Sequence, residues 1–101
     1  TITYPTEGSY VNWYENIKGV SSNCGTECYV SIAIQPSGYR EFPQSSRGII
    51  ERNGNWIAQG CYFGLQNNSN DIGRGFRIKA ELKDREGNIR ATHSIERVIR
   101  Q

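Results

Sequence analysis

The sequence predicts an all-β domain, an antiparallel β-sandwich of about seven strands. Three observations predict it. Segments in which apolar and polar residues alternate follow one another along the chain, turn-forming residues separate these segments, and 101 residues suit a single two-layer core. We therefore expect residues 1–101 to form one domain.

The first two long strands are predicted in the N-terminal half of the chain. In residues 10–20, Val11, Trp13 and Ile17 share an apolar face, but Glu15 falls on the same face and predicts a bulge or a break. Residues 28–36 give the clearest strand, which Pro36 ends. Its predicted buried face consists of Cys28, Val30, Ile32 and Ile34.

A hairpin is predicted around Asn53-Gly54, a dipeptide that accepts the positive φ angles of a tight turn. In the strand that follows, every second residue should face the core. The set of inward residues counted from Trp56 differs from the set counted back from Phe63. A one-residue bulge at Gly60 reconciles the two, because it switches which residues face the core. We therefore predict a buried face that is formed by Trp56, Ala58, Cys61 and Phe63, and we interpret Trp56 as a core residue rather than a ligand contact.

The last third of the chain begins with a polar loop at residues 64–75. A strand follows, with a predicted buried face of Phe76, Ile78, Ala80 and Leu82 and a charged outer face. In residues 88–101, Ile95, Val98 and Ile99 fit helical spacing, although β-branched residues also suit a strand. We predict a short C-terminal helix or turn there.

Several motifs in this order resemble a family of immunoglobulin-like or fibronectin-like β-sandwich modules, which are accessory domains in larger bacterial polypeptides. They are an opening Ile2-x-x-Pro5, the corner Phe42-Pro43-Gln44, the "NGNW" turn that begins at Asn53, and "DIGRGFRIKAELKD", in which a loop leads into a strand. The resemblance implies an immunoglobulin-like sandwich and a non-catalytic accessory role. It transfers no functional residues.

Composition excludes some classes of function. The net charge is only +2, from 12 basic and 10 acidic residues, so we expect no nucleic-acid partner. No apolar run approaches the length of a membrane helix, so we expect no membrane insertion. The chain starts at Thr1 and has no methionine, which predicts a processed form or a module of a larger protein. We favour an extracellular or cell-surface location over the cytoplasm.

The three cysteines allow several interpretations. A disulfide could join Cys24 to Cys28 or Cys28 to Cys61, and three free thiols are the alternative. A zinc site that also uses His93 is disfavoured, because two of its ligands would be far apart in sequence. We predict no metal and no cofactor.

We do not expect an enzyme. His93 is the only histidine, no nucleophile motif surrounds it, and we predict that it lies at the surface. The carboxylates are scattered along the chain, and no pair suggests acid and base roles. An enzymatic function would require His93 in a cleft beside Cys61 or a carboxylate.

Aromatic residues are the candidate ligand contacts, and we select Tyr14, Tyr39 and Phe42. Exposed rings on β-sandwiches can stack on sugar rings. The preferred hypothesis is a non-catalytic interaction module that spaces or docks a neighbouring domain or a protein partner. The alternative is a carbohydrate-binding module that takes a polysaccharide on these aromatics.

Overall fold

The computed structural model describes residues 1–22 and 24–101, and within these ranges the chain has eight β-strands and no α-helix. The strands are β1 (Ile2–Tyr4), β2 (Tyr10–Val11), β3 (Tyr14–Val20), β4 (Tyr29–Pro36), β5 (Phe42–Ile50), β6 (Asn55–Tyr62), β7 (Gly75–Lys83) and β8 (Ile89–Arg100). Two 3-10 helices cover Gly25–Glu27 and Ser69–Asp71. The all-β class is confirmed. No helix in the described ranges is long and apolar enough to cross a membrane.

All eight strands belong to one sheet, in the order β1-β3-β6-β5-β4-β7-β8-β2. The sheet is mixed rather than antiparallel, because β2 pairs with β8 in parallel. It curls into a half-barrel, which is compatible with a β-sandwich. The two edge regions approach each other where the backbone N–H of Ile2 on the edge strand β1 donates to Nδ1 of His93 on β8, which neighbours the other edge strand, at 2.9 Å.

The core lies inside this curl and is built from alternating side chains, as the sequence predicts. The predicted inward residues of β4 and β7 are all buried, and the two strands pair in register over their whole length. This part of the core is formed by residues that lie directly opposite each other on β4 and β7: Val30 with Leu82, Ile32 with Ala80, and Ile34 with Ile78. The alternation of period two therefore sets both the register and the core.

The predicted bulge at Gly60 is present. The flanking pairs of β3 and β6 are Glu15 with Cys61 and Ile17 with Ala58, so β6 carries one extra residue. Gly60 has φ +77°, and its N–H donates to Oδ1 of Asn16 at 3.0 Å. Trp56, Ala58, Cys61 and Phe63 are all buried, which confirms the predicted change of parity.

Residues 10–20 form two strands rather than one. The break comes at Asn12 and Trp13, whereas the β3–β6 bulge lies farther along β3, between Glu15 and Ile17. β2 lies beside β8, whereas β3 lies between β1 and β6, so the chain crosses from one edge region of the sheet to the other. The carbonyl of Trp13 accepts the N–H of Phe63 at 2.7 Å, which fixes the crossing.

The prediction of a C-terminal helix or turn is wrong, because residues 89–100 form β8, the longest strand. The register against β7 shifts between Phe76 and Ile78, where β8 has an extra residue and Arg97 adopts φ 59°. Ile95 and Val98 therefore both face the core although they are three residues apart. The bulge produces the spacing that resembles a helix.

Candidate functional site

The sheet splits between β5 and β6, and this split creates the candidate site. The two strands pair only near their hairpin, at Ile49 with Ile57 and Ile50 with Trp56. Farther from the hairpin, side chains bridge the gap: the Tyr62 N–H donates to Oε1 of Gln44 at 2.9 Å, and Oγ of Ser46 donates to the carbonyl of Gln59. The first residues of β5 and the last of β6 are therefore joined by side chains rather than by a backbone ladder.

A groove of about 590 Å³ lies at the mouth of this split. Its apolar part is supplied by Ile34 and Pro36 at the end of β4 and by Phe76 at the start of β7. These three residues are buried among the core strands, so the groove reaches the inner layer of the half-barrel. Its volume is in the range of small-molecule sites.

Three aromatic rings surround the groove: Tyr39, Phe42 and Tyr62. Their side chains are between 42% and 57% exposed, so each presents part of a ring to solvent. Tyr39 follows the turn at the end of β4, Phe42 begins β5 and Tyr62 ends β6. Two of the three predicted contacts, Tyr39 and Phe42, are thus brought to one site.

The third predicted contact, Tyr14, does not line the groove but touches one of its rings. The centroids of Tyr14 and Tyr62 are 5.1 Å apart in an edge-on arrangement. Trp13 lies 5.6 Å from Tyr62, so the aromatic surface continues from the groove onto the outside of β3. Tyr62 was not among the contacts predicted from the sequence, although the bulge at Gly60 turns its side chain outward and could have revealed it.

The loop between β6 and β7 forms the opposite wall and is fixed by two buried charged residues. Asp71 is 4% exposed, and its carboxylate accepts the Leu65 N–H at 2.9 Å and Nη1 of Arg74 at 3.1 Å. Arg100 is 3% exposed, and its Nη1 donates to the carbonyls of Phe63 and Leu65 at 2.8 and 3.1 Å. The sequence predicted only a polar loop for this segment, without the two charged residues that fix it.

The wall also carries side-chain amide nitrogens that form no hydrogen bond with the part of the chain that the structure describes. Asn68 uses its Oδ1 to accept the Asn70 N–H at 3.1 Å, which leaves the amide nitrogen of its side chain unpaired there. The Asn70 side chain likewise makes no hydrogen bond with the described residues. Two side-chain amides are therefore available to a ligand in the groove.

Two guanidinium groups contact the rings of the aromatic rim. Arg74 also lines the groove, whereas Arg40 reaches the rim through Phe42 without lining the groove itself. Cζ of Arg74 is 5.0 Å from the centroid of the Tyr39 ring, and Cζ of Arg40 is 5.2 Å from the centroid of Phe42. Both distances are within the range of cation–π contacts. The rim therefore combines apolar ring surface with positive charge.

His93 and the cysteines lie outside this groove. His93 is half-buried rather than at the surface, and it lines a cleft of about 210 Å³ beside Val30, Trp56 and Leu82. These residues are at the other ends of β4, β6 and β7 from the groove. Neither a cysteine nor a carboxylate lines that cleft among the described residues.

Cys24 and Cys28 form a disulfide, with Cα atoms 5.7 Å apart, so the alternative pairing of Cys28 with Cys61 does not occur. Cys61 is a buried free thiol, and burial raises its pKa to about 11. At neutral pH this group is a protonated thiol with little nucleophilic character.

Compared with known proteins, the chain matches no protein-family model, no curated protein and no solved structure. The immunoglobulin-like or fibronectin-like relationship thus stays a prediction, and the groove itself is the feature of this domain that indicates a function.

Proposed function

We propose that this domain is a non-catalytic module that binds carbohydrate in the groove between β5 and β6. The observation that carries the proposal is the arrangement of Tyr39, Phe42 and Tyr62, three half-exposed rings around one groove. A sugar ring buries its apolar C–H face on such rings and keeps its hydroxyl groups free for hydrogen bonds. The side-chain amides of Asn68 and Asn70 can supply those bonds.

The chemistry of the groove supports binding rather than catalysis. Its one carboxylate among the described residues, Asp71, is engaged by the Leu65 N–H and by Arg74, whereas glycoside hydrolysis ordinarily uses a pair of carboxyl groups. Nδ1 of His93 is engaged by the Ile2 N–H, and the high pKa of Cys61 keeps its thiol protonated. We therefore propose that the domain holds a ligand for a neighbouring domain, as an immunoglobulin-like accessory module would.

Docking of a protein partner or a neighbouring domain is the second candidate, and a different surface favours it. Ile49 and Ile57 are directly paired across β5 and β6, and both side chains are exposed on the outside of the sheet. Contiguous exposed apolar side chains are a feature of interaction surfaces. This surface is on the hairpin side of the split, away from the aromatic rim.

A binding assay on insoluble polysaccharides tests the carbohydrate proposal. We expect the purified domain to be retained in a saturable way by cellulose, chitin, peptidoglycan or a pectic polysaccharide. Tyr39→Ala and Tyr62→Ala should each weaken retention by about tenfold, because a stacked ring contributes about 1 kcal/mol or more.

Tyr10→Ala is the matched control, because Tyr10 is an exposed tyrosine that does not line the groove. Its retention should equal that of the wild type. No retention on any of the four polymers would contradict the carbohydrate proposal. If Ile49→Asp then abolished association with a neighbouring domain or protein, the docking role would be supported instead.

A further inference from the structure

We infer that the groove prefers acidic polysaccharides, those whose sugar rings carry carboxylates, over neutral ones. This inference rests on the proposed carbohydrate function and adds a ligand class to it. It is carried by the two guanidinium groups on the rim, which stand beside the same rings that would stack on the sugar. Arg74 lies over Tyr39, and Arg40 lies over Phe42.

The charges around the groove leave one positive charge uncompensated. Arg74 is paired with Asp71 at 3.1 Å, and Glu41, next to Phe42, is paired with Lys79 at 2.9 Å. Arg40 forms no ion pair with any residue that the structure describes. A neutral sugar would leave this charge to water, whereas a carboxylate would neutralise it.

Both guanidinium groups keep donors free for an anion. A guanidinium has five N–H donors in a planar fork, and Arg74 uses Nη1 for Asp71. No side-chain hydrogen bond of Arg40 occurs within the described residues. A contact with an aromatic face restrains the plane of the group without using its N–H donors. The rim therefore presents donors of the geometry that binds a carboxylate through two parallel hydrogen bonds.

The chemistry of uronic acids fits this arrangement of ring and cation. In such a sugar the carboxylate is attached directly to a ring carbon. Stacking of the sugar on the part of Tyr39 or Phe42 that the guanidinium leaves uncovered therefore places the carboxylate at the edge of the stack. That edge is where a guanidinium in contact with the same aromatic ring can reach it. One aromatic residue and its arginine would thus recognise the ring and its charge together.

The test compares acidic polymers with the same polymers after chemical reduction of their carboxyl groups. Polygalacturonate, alginate and hyaluronan serve as probes, each beside its carboxyl-reduced form, and binding of the intact domain is measured by calorimetry. We expect at least one acidic polymer to bind roughly tenfold tighter than its reduced form at low salt, since charge-assisted hydrogen bonds are about twice as strong as neutral ones. We expect this difference to decrease as salt is added.

Arg40→Gln is the informative variant, because Arg40 is exposed and has no ion pair whose loss would disturb folding in the described structure. It should weaken binding of the acidic polymer roughly five- to tenfold and change binding of the reduced polymer by less than about twofold. Arg52→Gln is the matched control. Arg52 is an exposed arginine in the β5–β6 hairpin, and it should leave both affinities unchanged.

The outcomes separate this inference from the proposed function. Equal or tighter binding of all three reduced polymers overturns the acidic preference and leaves carbohydrate binding in place. An equal loss in Arg40→Gln and Arg52→Gln also overturns it, because general charge attraction would then explain the binding. Binding of none of these polymers, together with no retention on the insoluble ones, overturns both proposals.

Discussion

The indole of Trp56 lies in a space that two glycines leave open. Gly19 on β3 pairs directly with Trp56, and a Cβ built on Gly19 would overlap Cζ2 and Cε2 of the indole. A Cβ on Gly48 of β5 would lie 2.6 Å from Cε3 of the indole and 3.0 Å from Cβ of Val30. The largest core residue is thus accommodated by neighbours without side chains.

We expect Gly48→Ala to lower the free energy of unfolding by roughly 1–3 kcal/mol, because the added methyl group overpacks the core around Trp56. Chemical denaturation followed by tryptophan fluorescence measures it. Gly75→Ala is the control: a Cβ there meets nothing within 4 Å, and the residue has no positive φ. Equal stability of Gly48→Ala and the wild type would show that the indole can move aside.

Cys61 gives the domain a pH dependence of stability at alkaline pH. Burial raises the pKa of its thiol from 9.0 to about 11. The unfolded thiol loses its proton near pH 9, whereas the folded thiol keeps it until about pH 11. Since the folded state then binds more protons, its stability falls as the pH rises through this window. Below pH 9 the contribution is complete.

We expect the wild type to lose roughly 2–3 kcal/mol of stability between pH 8 and pH 11 relative to Cys61→Ala, at about 1.4 kcal/mol per pKa unit. The measurement is urea denaturation of both proteins across this range. Comparison with the variant removes the titration of tyrosines and lysines, which both proteins share. Parallel pH profiles would be inconsistent with a buried thiol at this position.

At the scale of elements, the bulges in β6 and β8 show how much of the fold the sequence could predict. Gly60 is a recognisable signal, because glycine adopts φ +77° without the steric strain that a side chain would cause. The switch of core-facing residues in β6 was therefore predictable. The bulge in β8 uses Arg97, which is no such signal. Its inward residues therefore looked helical, and only pairing with β7 decides that the segment is a strand.

Arg97 is a non-glycine residue with φ 59°, a conformation that costs an L-amino acid roughly 1–2 kcal/mol. We expect Arg97→Gly to raise the free energy of unfolding by about 1 kcal/mol, because it removes this cost at an exposed position. Thermal unfolding measures the change. The neighbouring Glu96→Gly should instead destabilise the strand, since φ at Glu96 is not positive. Stabilisation by both variants would argue against the bulge.

The site was predictable only in part, for a similar reason. Tyr39 and Phe42 are near each other in sequence, and both follow the turn at the end of β4, so their common location follows from local structure. Tyr62 and the wall held by Asp71 and Arg100 join them only through the split between β5 and β6. Side chains that bridge a split sheet leave no periodic pattern in the sequence.

At the scale of the whole molecule, the half-barrel has two different ends. The groove is at the end of the last residues of β4 and the first of β7, whereas the cleft of His93 is at their opposite termini. The bond from the Ile2 N–H to Nδ1 of His93 holds the two edge regions together at the cleft end. Closure of the sheet and binding in the groove should then be independent properties.

We expect His93→Ala to lower the free energy of unfolding by about 1 kcal/mol, the usual net contribution of one hydrogen bond, and to leave polysaccharide affinity unchanged. Tyr39→Ala should lower the polysaccharide affinity and leave the free energy of unfolding nearly unchanged, because its ring is more than half exposed and contributes little to the core. Since distant sites act additively, the double variant should show the sum of the two effects. Calorimetric binding and thermal unfolding of all four proteins provide the measurement. A loss of affinity in His93→Ala as large as that in Tyr39→Ala would show that the two ends are coupled, and closure of the half-barrel would then be part of the binding site.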